Sequence, residues 1–397
     1  MKTTLSAKIS ALFILLSAVV ACSRTSDTET EGGIRTIHVD VDVAPAPVKT
    51  SEILKDVRIV PLETNDSCLL DEIRTIKMLN GYIYISAGGT LYKFDKRGRF
   101  LTSMKRQGNG PGEYVSLWDF DVDKQGNVYV FCQRTCRVYV YDGRGDFKKK
   151  IDLKGNPKCI LVRDDGSILV DHGNDYSRVY DKSLVVVRDS VVEGFGHLAV
   201  DTFICKYADA LIMLSSFRRD GDRVIMYKSR NDTVYTVTDK GIEYLARMDY
   251  SGRNVPIEFY HQQYDNIMVY GDALCHTNYI ENGTAYSEGE TYVFNTVLSA
   301  KKDEKWGFTF ENKQAIVNKQ TKETKIASEI VDDQSLYGMK VLPVYPLSGS
   351  TFAWSIDVAD ILSHAETLSE TERGELLKRI NYQDEDQNPV LYIGTFK

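Results

Sequence analysis

The sequence predicts an all-β protein: a six-bladed β-propeller with four-stranded antiparallel blades. Three observations lead there. Two long stretches repeat at nearly one spacing, their strands are apolar on both faces, and their turns place Asp and Gly at fixed offsets.

The repeat comes first because it decides the fold. "GYIYIS" at 81–86 matches "GNVYVF" at 126–131, each a turn glycine followed by an alternating run. "LYKFDKRGRF" at 91–100 matches "VYVYDGRGDF" at 138–147 through aromatic-Asp-x-x-Gly-x-Phe. Gly81 and Gly126 stand 45 residues apart, and Asp95 and Asp142 stand 47 apart. Asp-x-x-Gly is turn chemistry, because Asp bonds the backbone ahead of it and Gly takes a positive φ. Asp95 and Asp142 should therefore occupy equivalent turns of adjacent blades.

Both faces of these strands are apolar. In "NVYVFC", Val128, Val130 and Cys132 point one way, and Tyr129 and Phe131 the other. A sheet with one wet face would alternate polar and apolar. With few helices to cover them, neighbouring sheets must cover one another, which is the propeller arrangement. A period of 40–50 residues suits a four-stranded blade.

Weaker copies continue the pattern. "DDGSILV" at 164–170 and "VYDKSLVVV" at 179–187 form one, and "VYTVTDKGIEYL" at 234–245 is a second half with Asp239 and Gly241 at its turn. "WGFTF" at 306–310 and "QAIVNKQTKETKI" at 314–326 read as a strand pair, and "TFAWSID" at 351–357 belongs to the last unit. The count is about six units, with residues 34–397 as one domain.

A ring needs closing, since closure removes free sheet edges. "PVLYIGTF" at 389–396 should pair with "VRIVPLE" at 57–63, and "TIHVDVDV" at 36–43 is a second candidate. The sequence predicts helices in an insertion at about 356–381, before the closing strand. Ser369 and Glu372 make a capping box there, and Leu376, Leu377 and Ile380 give an apolar stripe.

The first residues carry an address. Met1-Lys2 and Lys8 precede an apolar run from Ile9 to Val20, too short to span a bilayer. It ends in Val19-Val20-Ala21-Cys22, which resembles a bacterial lipoprotein cleavage box. Residues 1–21 then read as a signal peptide, Cys22 as the lipid attachment, and residues 22–33 as a flexible tether. Ser23 in place of Asp favours the outer membrane, so the expected location is the cell envelope.

Composition narrows the partners. The 397 residues are 43% hydrophobic and 26% charged, ordinary for a packed domain, with 24 Tyr that suit strands. The net charge of −7 and the lack of a long basic run argue against nucleic acid. "FKKKI" at 147–151 reads as a solvated edge strand. A monomer is expected.

Cysteine use leaves a choice open. Cys132 and Cys136 flank "QRT" between two apolar runs, so a cross-hairpin disulfide and two reduced thiols are both compatible with the spacing. A lone C-x3-C without a second ligand pair is a poor zinc signal.

"RQGNGPGEY" at 106–114 invites a phosphate-loop reading and fails it. Glu113 follows Gly112 where a Walker loop needs Lys, Tyr114–Trp118 leads into a strand where a dinucleotide loop needs a helix, and Pro111 removes a backbone donor. The stretch reads instead as the connection from the outer strand of one blade to the inner strand of the next. Arg106, Glu113 and Tyr114 either brace that corner or face the channel mouth. "DFDVD" puts Asp119, Asp121 and Asp123 on one strand face, where carboxylates could line the channel. It is no EF-hand, since Lys124 and Val130 fill the slots that need Gly and Glu. Asp123 reads as the turn residue before Gly126. No two of the six histidines stand at a ligand spacing. His172 and His276, near strand ends, are the ones to follow, although ordinary surface or packing roles suffice for them.

Taken together, "VRIVPLETN", "DFDVDKQGNVYV", "RQGNGPGEY", "NDTVYTV" and "DEDQNPVLYIGTFK" resemble the six-bladed β-propeller lipoproteins of Bacteroides-type bacteria, relatives of the NHL-repeat propellers. The resemblance spans most of the chain after residue 33. It departs at Asn109, where Gln is usual, and at Gln387, which replaces an acidic residue before Asn388-Pro389. It implies the fold and brings no catalytic residue with it.

The expected function is binding: a lipid-anchored ring of loops presented to a glycan, peptide or envelope protein, with no cofactor. The alternative is a metal-dependent hydrolase or lyase holding Ca²⁺ or Zn²⁺ in the central channel. Its ligands would come from different blades and leave no local spacing. Arg106, Glu113, Tyr114, Asp119 and Asp121 are the candidate binding residues.

Overall fold

The strands group into six hydrogen-bonded sheets whose order follows the chain. The computed structural model describes residues 30–31, 34–172, 184–193, 216–221, 223–228, 231–238 and 241–397. The predicted features at Cys22 and Asp239 lie outside these residues, as do residues 179–183 of "VYDKSLVVV", the signal peptide and most of the tether.

Sheet I contains Ile73–Leu79, Tyr82–Ala87, Thr90–Phe94 and Phe100–Met104; sheet II contains Asp119–Val122, Val128–Cys132, Arg137–Tyr141 and Phe147–Asp152. Sheet III contains Cys159–Val162, Ile168–Asp171, Leu184–Arg188 and Val191–Glu193; sheet IV is built on Ser216–Asp220, Arg223–Tyr227, Thr233–Thr238 and Gly241–Asp249. Sheet V is built on Glu281–Glu288, Tyr292–Asp303, Gly307–Asn318 and Thr324–Asp332; sheet VI combines Tyr345–Ser348, Thr351–Ile356 and Val390–Phe396 with Leu54–Pro61. Within each sheet these strands run antiparallel in meander order. The molecule is an all-β propeller with four-stranded antiparallel blades and few helices.

The core lies in the seams between sheets. Tyr84 and Leu91 of sheet I pack on Phe120 and Val130 of sheet II. Phe131 and Val140 of sheet II pack on Ile160 and Val170 of sheet III. Similar clusters join III to IV, IV to V and V to VI. Ile83 and Ile85 then pack on Ala353 and Leu391, which brings sheet VI back to sheet I. Alternate residues of one strand thus feed two different seams, and that is why both faces of "NVYVFC" are apolar.

Closure uses the expected strand. Val390–Phe396 pairs antiparallel with Leu54–Pro61, with Leu391 opposite Val60. Asn388 pins the joint: its N–H donates to Thr64 Oγ1 at 2.8 Å, its Nδ2 to the Glu63 carbonyl at 2.8 Å, and its Oδ1 accepts from Leu70 N–H at 2.7 Å. Asp95 and Asp142 also occupy equivalent turns, between the third and fourth strands of sheets I and II. Each carboxylate accepts the N–H two residues on, at 2.8 and 2.9 Å, and each carbonyl accepts the N–H of Gly98 or Gly145.

Several expectations are corrected. Ile34–His38 does not close the ring; it runs parallel to Gly241–Asp249 on the outer edge of sheet IV. Ala46–Lys49 runs parallel to Thr324–Asp332, and Met339–Val341 adds antiparallel, so sheets IV and V exceed four strands. "WGFTF" and "QAIVN" are not a pair. They belong largely to one strand, Gly307–Asn318, which pairs along its whole length with Tyr292–Asp303. Helices occur at Val358–Ala365 and Glu370–Arg379, the second with its Ser369–Glu372 capping box. Helices also occur outside that insertion, at Ile257–His261 and Ile267–Cys275; the second is capped by the Asn266 side chain, which accepts from Met268 and Val269 N–H.

Candidate functional site

The first strands of successive sheets face the ring axis, and each would expose an edge there. The sequence closes one of those edges with carboxylates. Asp119 and Asp121 are two apart on a strand, so they share a face at the same spacing as Ile160 and Val162 on the next sheet. Asp119 Oδ2 accepts Ile160 N–H at 3.0 Å, and Asp121 Oδ2 accepts Val162 N–H at 2.7 Å. The two side chains thereby satisfy edge donors that water or another strand would otherwise seek.

Cations complete this arrangement. Lys77 of sheet I donates to Asp119 Oδ1 at 2.8 Å and also to the Phe120 carbonyl. Arg219 of sheet IV clamps Asp121 with two bonds of 3.0 and 2.8 Å, and it donates to the Val162 carbonyl at 2.6 Å. Burial works against the Lys77 ammonium, yet the nearby charges of Asp119 and Asp121 hold its pKa above the ordinary value. Lys228 pairs with fully buried Asp171 at 2.7 Å. Lys77, Arg219 and Lys228 are thus each matched to a carboxylate, and Asp119 and Asp121 spend their oxygens on these bonds.

The 106–114 corner is internally bonded. Tyr114 N–H donates to the Arg106 carbonyl, and Gly108 N–H to the Tyr114 carbonyl, both at 3.0 Å. Glu113 turns back on the loop and accepts Gly110 N–H at 2.8 Å. Arg106 is exposed and donates to the Gly145 carbonyl of sheet II at 2.9 Å. Tyr114 is fully buried in the seam between sheets I and II, and its hydroxyl donates to the Gly89 carbonyl at 3.0 Å. Gly112 has φ +76°, and a Cβ there would come within 2.5 Å of the Phe147 ring. The geometry favours bracing over display for Glu113 and Tyr114.

Cys132 and Cys136 are separate thiols. Cys132 lies 3.7 Å from Ser116 Oγ, whereas Cys136, left-handed at φ 49°, directs its sulfur to the Gln133 and Gly155 carbonyls. The short 3-10 turn between them aims the two sulfurs at different partners. Asp123 caps its turn as expected, accepting Asn127 N–H at 2.8 Å. "FKKKI" lies on the exposed edge strand of sheet II. His172 is buried at a strand end, and His276 is exposed at a helix terminus with Nδ1 2.7 Å from the Asp272 carbonyl. Among the described residues no three His, Cys, Asp or Glu side chains gather into a group that could hold a metal ion.

One accessible feature had no signal in the sequence. The outer halves of Tyr292–Asp303 and Gly307–Asn318 run beyond the residues that pair with their sheet neighbours. The two helices at 257–275 pack on that extension through Phe259, Tyr270 and Leu274, with Ala300 and Phe310. At the hairpin tip Trp306 is 67% exposed, beside Met268 at 46% and Val269 at 44%. Met268 Cε lies 2.1 Å from where a Cβ on Gly307 would stand, so helix and tip are in contact.

A second charge cluster ties the N-terminal strand down. Arg35 binds Glu288 through two bonds of 2.7 and 2.6 Å, while the Tyr286 hydroxyl and Lys319 donate to the same carboxylate at 2.6 and 3.0 Å. Burial alone would raise the Glu288 pKa. The Arg35 bonds and charge, with Tyr286 and Lys319, bring it down to about 2.

Comparison with known proteins agrees with this fold. A Bacteroides fragilis protein described as a candidate exported protein has 21% identity and a TM-score of 0.67, over 91% of this chain and 99% of its own. A Bacteroides vulgatus member of the DUF4221 family has 13% identity and a TM-score of 0.49, over 87% of this chain and 97% of its own. The first likeness shows the fold alone, and the second is too distant to carry an argument. No curated protein matches. Among the described residues no helix is long and apolar enough to cross a membrane. A family model described as a domain of unknown function, DUF4934, matches residues 34–395, and the chain belongs to that family.

Proposed function

We propose that this protein is a lipid-anchored, extracytoplasmic propeller that binds a partner protein through the hairpin and helices standing out from sheet V. The observation that carries the reading is the exposed apolar tip of Trp306, Met268 and Val269. Large apolar side chains grouped on a structured projection mark interaction surfaces, and Trp is enriched where binding energy concentrates. Lys305 sits 4.8 Å over the Trp306 ring and gives the tip a polar rim.

A photo-crosslinking residue placed at Trp306 in intact cells tests the reading. The expected result is one discrete light-dependent protein adduct, abolished by Met268→Asp. Labelling no stronger than from the same probe at exposed Tyr244 on sheet IV would count against it.

Two further parts belong to the same proposal. The six sheets are read as six blades of one ring, supported by the six seams that return sheet VI to sheet I. Anchoring at Cys22, in the outer membrane, is supported by the apolar run and the small residues before that cysteine. Cys22→Ser should release the protein from the membrane fraction; unchanged membrane association and processing would overturn the anchor.

A further inference from the structure

Arg218 on the first strand of sheet IV differs from the partly buried cations described above. Lys77 has Asp119, Arg219 has Asp121, Lys228 has Asp171, and Arg35 has Glu288. Arg218 is only 8% exposed, and among the described residues no carboxylate forms an ion pair with it. The two acids nearest in charge are already held: Asp220 by Arg223 at 3.0 and 2.7 Å, and Glu288 by Arg35, Lys319 and Tyr286. Arg218 Nη1 donates to the Tyr286 carbonyl at 2.5 Å, and the guanidinium lies 5.8 Å from the Tyr286 ring centroid. Among the described residues its Nε–H has no hydrogen-bond partner. Burial pulls the Arg218 pKa below the ordinary arginine value despite the acids around it.

A desolvated guanidinium with an unmet donor is costly unless something supplies the anion. With Nη1 engaged, Nε and Nη2 remain along one edge of the plane, a fork that matches the two oxygens of a carboxylate. We propose that Arg218 is the receptor for a carboxylate on a ligand that enters the ring between the first strands of sheets IV and V. On the sheet V side Tyr286 supplies the carbonyl that holds Nη1, and the neighbouring Ser287, 2% exposed, has its hydroxyl 3.4 Å from the Gly349 carbonyl. This site is separate from the Trp306 tip and does not depend on it.

The test uses the full chain, with acetate as the probe at constant ionic strength. Acetate at 0.2 M should raise the melting temperature by about 2–4 °C over chloride, for binding in the ~10 mM range. Acetamide, with the same shape and no charge, should give no rise. Arg218→Lys keeps the charge and can still reach the Tyr286 carbonyl but lacks the forked edge, so it should lose the acetate response; Arg218→Met should lose it too. A wild type that ignores acetate, a full response in Arg218→Lys, or equal responses to acetate and acetamide would each overturn the proposal. A response to inorganic phosphate without one to acetate would overturn the carboxylate assignment.

Discussion

Arg219 and Asp121 meet across the ring through two bonds of 3.0 and 2.8 Å, although 98 residues separate them in sequence. Asp121 is 2% exposed, and the Arg219 guanidinium is the cation that binds its carboxylate. Arg219→Met leaves a buried carboxylate without its cation, and the expected loss is about 3–5 kcal/mol in urea unfolding. Adding Asp121→Asn should recover more than half of it, because the stranded charge is gone. Strict additivity of the two changes would show that the pair is not coupled.

The Glu288 cluster predicts a pH dependence with a definite sign. The folded pKa of about 2 lies below the ordinary 4.5, so the contribution is present above pH 4.5 and fades as pH falls toward 2. Glu288→Gln should therefore be less stable than the wild type at pH 7, by on the order of 2–3 kcal/mol. The gap should narrow steadily below pH 4.5. A gap that stays constant down to pH 2.5 would show that the carboxylate charge is not its source.

Equivalent turns in adjacent sheets need not tolerate the same change. Gly98 and Gly145 follow Asp95 and Asp142 at φ +83° and +87°. A Cβ on Gly98 would come within 2.0 Å of the Pro61 carbonyl, whereas one on Gly145 would find only Met104 Cγ at 3.9 Å. Gly145→Ala should cost only the left-handed backbone term, about 1–2 kcal/mol. Gly98→Ala should cost clearly more, because Pro61 ends the strand that closes the ring. Equal melting temperatures for the two variants would contradict this.

At the 106–114 corner the buried and exposed residues should separate. Tyr114→Phe strands the Gly89 carbonyl and should cost about 1 kcal/mol or more. Arg106→Ala removes an exposed side chain and should stay within about 0.5 kcal/mol. Thermal melts of both variants check this, and the reverse order would move the bracing role to Arg106.

What could be read in advance depended on how local its cause was. The Asp95 and Asp142 turns, the Asp123 cap, the Ser369–Glu372 box and the 390–396 strand each have their determinants within a few residues. The pairing of Ile34–His38 does not: a strand added in parallel to an outer edge needs only an open edge, and the edge of sheet IV supplied it. The 257–275 helices were missed because their buried face is rich in Tyr and Phe, residues that read as strand. Residues 311–313, left between "WGFTF" and "QAIVN", do not separate two strands: the ladder runs through them because Tyr292–Asp303 pairs along the whole length. At the axis, the shared face of Asp119 and Asp121 was legible, but Lys77 and Arg219, which hold them, are set by topology.

The joint made by Asn388 and the strand after it makes the packing of an early strand depend on a late one. Asn388 bonds Thr64 across 324 residues of sequence, and Leu391 lies opposite Val60. A product truncated before residue 388 lacks both, leaves Leu54–Pro61 with an open edge, and strips Leu391 and Ile393 from the seam with sheet I. Incomplete polypeptides would thus carry an unpaired strand and a bared apolar face, which marks them for aggregation or proteolysis.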